Sequence, residues 1–399
     1  MPPKKKNTSR KVLISNEMND NIIDILKKYL DKMDVTFNDK ELSKKIYNIL
    51  HSSLKESEKI IHDFTLQDIK SSSYSNLKPT QYMPHQFIDE IKRCLYYQYN
   101  ITFQYKKIHF SVCICFDEKI QIEQYIKYIK WIICLCLQNV TNEKEDSMYI
   151  QLFLTKMKKS IPGVFSNSIQ PIHINSGYTS YPEKGMHICI YRKEEWMKVF
   201  IHECFHAFNM DFHEEHIHFP NLFEKTFHIK STYLVCESFV EFWARVLNCA
   251  FFSYHLKPSM KANEFHDVFS LNLNIERIHS LLQASKMLNM FQLKYQDIIS
   301  KERGNIARTI YKEETNAFCY YVITAIMMNF FDKTIQWFDL QNSHLFHFNK
   351  KDKQVVVFCH YIKQISKNPQ LIQILNELNV CKIQKENYMK MTIFEIQFA

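Results

Sequence analysis

Along residues 16–69 apolar positions recur every three or four residues, as in "DNIIDILKKYLDKM" and "ELSKKIYNILHSSLKESEKIIHDF". That period lines them up on one helix face, so the stretch predicts a small helical lobe. "SSSYSNLKPTQYMP", residues 71–84, is polar with two prolines and reads as a linker. The pattern then changes. "ITFQYKKIHFSVCICF" alternates about a central Lys-Lys pair and predicts a β-hairpin over 101–116. "KIQIEQYIKYIKWIICLCLQNV" returns to the helical period, and "SMYIQLFLT", "PIHINSGYT" and "MHICIYR" predict three further strands. A helix beginning near Lys193 follows. Beyond it, "TYLVCESFVEFWARVLNCAFF", "IERIHSLLQASKMLNMF", "KEETNAFCYYVITAIMMNFFDKTIQWF" and "QVVVFCHYIKQI" predict an almost wholly helical remainder. The expected fold class is α+β. A small mixed sheet carries a central helix, with helical lobes before and after it. The expected divisions are a basic tail (1–12), a helical lobe and linker (13–84), a sheet subdomain ending in the central helix (85–212), and a helical C-terminal subdomain (213–399).

A chain of 399 residues, 46% hydrophobic and 23% charged, has the composition of a globular protein with a large core. Its longest apolar run, "CYYVITAIMMNFF", is shorter than the roughly 20 residues of a membrane-spanning helix, so no membrane contact is expected. The beginning, "MPPKKKNTSRK", is basic without a following apolar segment, and no secretory signal is expected. The twelve cysteines therefore read as reduced thiols. Cys113 with Cys115, and Cys134 with Cys136, lack the CxxC spacing of a zinc knuckle and read as core fillers. The net charge is +9, to which Lys4, Lys5, Lys6, Arg10 and Lys11 contribute. Such a tail suits nucleic acid or a nuclear address; a solvated end that aids solubility suits it equally.

The chemistry concentrates in "VFIHECFHAFNMDFHEEH", where His202, Glu203 and His206 form HExxH. Residues four apart on a helix lie on nearly one line, so both imidazoles can reach one ion. Glu203 lies on the same broad face, positioned to take a proton from a metal-activated water, while Cys204 and Phe205 turn toward the core. A chance pair of helix histidines is the plain alternative to this reading. A catalytic zinc needs a third protein ligand. HExxHxxGxxH would require glycine at 209 and histidine at 212, where the chain has Asn209 and Phe212, with His213 one residue late. His213, His216 and His218 otherwise read as a polar loop. A glutamate on a later helix fits better: "CESFVEFWARVLN" supplies Glu237, and Glu241 four residues on to support a histidine. An exposed stripe with a Glu241–Arg245 ion pair is the bland alternative, but most of that helix's circumference is apolar. Ser176, Gly177 and Tyr178 in "HINSGYT" are candidate substrate-binding positions on a strand, Gly177 being either a point of close backbone approach or a plain turn. Tyr320, Tyr321 and Tyr178 are candidate oxyanion donors.

"INSGYT", "ICIYRKEEWMKVFIHECFHAFNMDF", "ESFVEF" and "EETNAFCYY" together resemble an uncharacterised zincin-like, gluzincin-type HExxH family of nucleocytoplasmic large DNA viruses. The resemblance covers residues 172–330. It implies a zinc metallopeptidase acting on protein or peptide substrates in host cytoplasm or virus factory, or carried in the virion. The basic tail leaves nuclear localisation open. The other class of function is a non-enzymatic virion or scaffold protein with a structural or relic zinc, which would have no use for Glu203.

Overall fold

The computed structural model describes residues 37–70, 74–140, 146–162, 167–182, 185–212, 223–342, 344–379 and 388–398. The basic tail, the first helical stretch expected in the lobe ("DNIIDILKKYLDKM"), and His213, His216 and His218 lie outside them.

Helix α1 (Lys40–Lys59) starts where Asp39 accepts the Leu42 amide at 2.9 Å. It buries Leu42, Ile46 and Leu50 at the expected helical spacing. Strand β1 (His62–Asp68), helix α2 (His85–Cys94), strands β2 (Tyr97–Tyr105) and β3 (Ile108–Phe116), helix α3 (Glu123–Gln138) and strand β4 (Asp146–Phe153) follow. Strands β5 (Gly177–Ser180) and β6 (Met186–Ile190) lead into α4 (Trp196–Ala207), then α5 (Val235–Leu256) and α6 (Ala262–Asn289). Shorter helices complete the remainder. The six strands form one mixed sheet in the order β1-β2-β3-β4-β6-β5. The β2–β3 hairpin forms as expected, α3 crosses over to make β4 parallel to β3, and β5 closes the far edge antiparallel to β6. No helix among the described residues is long and apolar enough to cross a membrane.

Three expectations need correction. The helical lobe ends at Lys59, and His62–Asp68 is a strand paired with β2. Because β1 lies at the sheet's edge with nearly every residue exposed, it lacks the in-out alternation that marks a strand in sequence. "PIHINSGYT" is a helical turn (Pro171–Ile174) before it becomes β5, the proline occupying the first helical position. The polar segment 74–84 is packed rather than loose: Tyr74 and Met83 are buried with Phe87, Ile88, Ile91 and Tyr191 in a second core on one face of the sheet.

Helix α5 is the centre of the molecule, buried from Val235 to Tyr254, so every polar group on it needs an internal partner. Part of that supply comes from residues 388–398, a segment in which the sequence showed no motif. Thr392 donates its amide to Glu195 (2.5 Å) and its hydroxyl to Glu276 (3.0 Å), and Asn248 of α5 donates to the Phe394 carbonyl (2.8 Å). Glu195 also pairs with Lys159 at 2.6 Å, both side chains at most 1% exposed. Lys159→Met should strand the Glu195 carboxylate in the interior and lower the unfolding free energy by about 3–5 kcal/mol. Urea denaturation followed by far-UV circular dichroism reads this; a loss of under ~1 kcal/mol would show that the pair is not what neutralises Glu195.

Candidate metal centre

Helix α4 begins at Glu195, which adopts a left-handed conformation (φ 58°) and lets β6 turn directly into the helix. Its sequence is apolar nearly all round because it is wedged between the sheet and α5, so His202, Glu203 and His206 are held in a crowded interior. The helix stops at Ala207, followed by Asn209 in the left-handed region (φ 54°). That is the turn a glycine would make, and asparagine tolerates it. The reversal carries Asp211 back under His206.

The three expected ligands converge. His202 Nε2 lies 3.2 Å from His206 Nε2 and 3.2 Å from Glu237 Oε2, and His206 Nε2 lies 3.4 Å from the same oxygen. Among the described residues, His202, His206 and Glu237 form a group whose ligand atoms all lie within 4.8 Å of one another. Zinc ligated tetrahedrally at about 2.0–2.1 Å needs ligand atoms roughly 3.3 Å apart, so this donor set fits the ion.

Behind each imidazole stands a carboxylate. Glu241 Oε2 is 3.1 Å from His202 Nδ1, as expected from its spacing, and Asp211 Oδ2 is 2.6 Å from His206 Nδ1. Each therefore accepts an Nδ1–H and leaves Nε2 to face the ligand cluster. Glu241 is bound further by Lys198 (2.9 and 3.0 Å) and by Arg245 Nε (2.9 Å), all in the interior. The Glu241–Arg245 pair is thus a buried neutralising contact rather than a solvated surface pair. Asp211 and Lys198 escaped the sequence reading. Asp211 sits only five residues after His206, and the left-handed Asn209 between them was its one available signal.

Burial and charge oppose each other throughout. Burial disfavours the Glu241 carboxylate, but Lys198, His202 and Arg245 outweigh it and hold the group well below the usual carboxylate range. Glu237 is likewise buried yet held well below that range by His206 and His202. Burial lowers both imidazole pKa values; the Glu237 and Glu241 carboxylates reverse this for His202, and Asp211 and Glu237 do so more strongly for His206. Glu203 goes the other way: its pKa is raised by burial, against the pull of the two histidines and a 2.8 Å hydrogen bond from the Thr179 hydroxyl.

A cavity of about 180 Å³ opens over the cluster, bounded by β5, α4 and the start of the helix that carries Tyr320. Gly177 and Tyr178 line it; Ser176 does not, and is buried with its carbonyl accepting the Tyr191 amide. The glycine is explained by its own neighbours. A Cβ at 177 would meet the Cys189 carbonyl at 2.9 Å and Val199 at 3.0 Å, so the residue lets β5 lie tight against β6 and α4. Of the tyrosines, Tyr320 borders the cavity with its ring 5.8 Å from that of His202, and burial, Glu237 and Glu203 keep its hydroxyl protonated. Tyr321 points elsewhere, donating to the Met389 carbonyl at 2.6 Å, and is corrected from oxyanion donor to a packing residue. The two neighbours diverge on a stretch of π-helix (Phe318–Ile323) that opens the helix expected here. Tyr82 of the segment 74–84 stacks on Tyr178 at 5.8 Å and completes the wall, a role its polar surroundings in the sequence concealed. Set against protein-family models, curated proteins and solved structures, the chain matches none, and the centre is interpreted from its own geometry.

Proposed function

We propose that this chain is a zinc metallopeptidase of the zincin type, with His202, His206 and Glu237 as ligands and Glu203 as general base. The observation that carries the proposal is the near-equilateral triangle of Nε2, Nε2 and Oε2, with edges of 3.2, 3.2 and 3.4 Å beside a carboxylate that is not part of it. The element order supports it: a mixed sheet ending in an antiparallel edge strand, an HExxH helix, then a glutamate on the next long helix. When bound there, zinc supplies Lewis-acid polarisation of a carbonyl and brings the pKa of water toward neutrality.

The remaining work falls to side chains already in place. Thr179 fixes one oxygen of Glu203, and burial lifts its pKa toward the range in which a base both accepts and returns a proton. Tyr320 presents a protonated hydroxyl beside His202, suited to donate to a developing oxyanion. Strand β5 offers an extended edge along which a substrate backbone can lie. Neither lysine nor arginine lines the cavity among the described residues, so a substrate's terminal carboxylate finds no cationic partner in its lining. Of the non-enzymatic alternatives, a structural or a relic zinc, the structural one explains neither the retained Glu203 nor a cavity above three ligands rather than a closed set of four, and a relic differs by lacking turnover.

Glu203→Gln should leave zinc content and thermal stability unchanged while peptide cleavage falls by at least about 10²- to 10⁴-fold. Equal zinc and no turnover in either protein across a broad peptide library would favour the structural reading; loss of zinc would place Glu203 among the ligands. Zinc should be nearly abolished by Glu237→Ala and its affinity weakened about 10- to 100-fold by Asp211→Asn or Glu241→Gln. Metal analysis that found full occupancy in Glu237→Ala would assign the third ligand elsewhere. Because both imidazole pKa values lie above 6.5 without metal, ligation at pH 6.5 must expel protons. Titration calorimetry should therefore give heats that vary with the buffer's ionisation enthalpy, and affinity should rise with pH. Buffer-independent heats would contradict the ligand set.

A further inference from the structure

The sheet has two ends. At one, β5 borders the cavity; at the other, β1 pairs with β2 on one side only, and no other strand among the described residues meets its outer edge. Six of its seven residues are exposed, including Phe64 at 44% and Leu66 at 41%, with Ile61 just before it at 88%. An edge of this length with apolar side chains in water is a template for another strand. Proteins commonly guard such edges with lysine, proline or a bulge; "HDFTLQD" contains neither lysine, proline nor glycine, and its pairing with β2 runs in unbroken register from His62 to Asp68.

We infer that β1 is a pairing edge for a second copy of this chain, the two β1 strands running antiparallel about a two-fold axis at Thr65. The argument is the strand's complementarity to itself. In that register His62 stands opposite Asp68 of the other copy, Asp63 opposite Gln67, Phe64 opposite Leu66, and Thr65 opposite Thr65. Side chains alternate between faces, so one face joins two Phe64–Leu66 contacts flanked by two His62–Asp68 contacts, while the other holds only polar pairs. No like charges oppose each other. Shifting the register by one residue in either direction destroys this: one shift sets Asp63 against Asp68 and Phe64 against Gln67, and the other sets Asp63 against Leu66 and Phe64 against Thr65. Within one chain His62 already lies over Phe64 with rings nearly parallel (6.4 Å, 17°), and Asp68 is 3.7 Å from the exposed Lys119. The same patch serves both copies, so the contact closes on itself and extends the sheet to twelve strands without leaving an open filament. The cavity edge, β5, stays outside the interface.

Sedimentation equilibrium of the full chain across a concentration series should show association from the 48.1 kDa monomer toward twice that mass. Leu66→Lys, which sets a charge against Phe64 at two symmetric places, should weaken the dimer by at least about tenfold. His62→Asp should weaken it by opposing two carboxylates, and the double variant His62→Asp/Asp68→His should restore it, a rescue that general destabilisation cannot produce. Thr65→Cys should cross-link the dimer on mild oxidation, because the axis brings residue 65 of each copy together. Far-UV circular dichroism establishes that each variant is folded. The inference is overturned if the wild-type chain stays monomeric throughout, which would leave the edge to a strand of a different protein. It is equally overturned if a dimer persists undiminished in Leu66→Lys, or if the double variant associates no better than His62→Asp.

Discussion

The ionised carboxylate of Glu241 is the constraint on which the centre depends. It lies in the interior, where an isolated carboxylate would take up a proton rather than stay charged. Protonated, it would have an O–H to donate to His202 Nδ1, and the ring's own proton would move to Nε2, the atom that faces Glu237 and His206. Lys198 and Arg245 prevent this by holding the carboxylate ionised, so His202 Nδ1 keeps its proton for Glu241 and Nε2 is the nitrogen left to give up a proton toward the cluster. Asp211 does the same for His206 from the other side. The ligand geometry is therefore an outcome of charge pairing one layer further in.

That layer reaches well beyond the helix pair. Lys198 Nζ also lies 3.4 Å from the Met391 sulfur, and the segment 388–398 that carries Met391 is itself held by Glu195, Glu276 and Asn248. The buried pairs Glu195–Lys159 and Lys198–Glu241–Arg245, with Glu276 accepting from Thr392 and the Ile393 amide, thus form a polar seam between α4, α5, α6 and the last described segment. Hydrophobic packing alone would let α4 and α5 slide, since their faces are apolar nearly all round. A seam of charges that each require a specific partner fixes one arrangement.

This explains what was legible in the sequence. HExxH and the Glu237–Glu241 spacing could be read because they are helical periodicities, properties of one element at a time. The hairpin, α3 and α5 were legible for the same reason. Asp211, Lys198, Tyr82 and the segment 388–398 were not, because each acquires its role only through long-range contact or, for Asp211, through a left-handed turn at Asn209. Strand β1 was mistaken for helix because its two faces are both wet, so burial never imposed an alternating pattern. Tyr320 and Tyr321 were indistinguishable as neighbours in a chain with 22 tyrosines; the local π-helix separates them.

The two ends of the sheet carry opposite demands. At β5 the strand borders the cavity and is held rigid by lying so close to β6 and α4 that only glycine fits at 177, while Thr179 ties it to Glu203. At β1 the strand is held by its ladder with β2 and, at its two ends, by Lys130 against His62 and Lys119 against Asp68, while its middle stays exposed, so its exposed apolar side chains gain most from a further strand. A sheet whose β5 edge is held locally, by its ladder with β6 and by α4, can accept pairing at the opposite edge, four strands away, without strain reaching the centre.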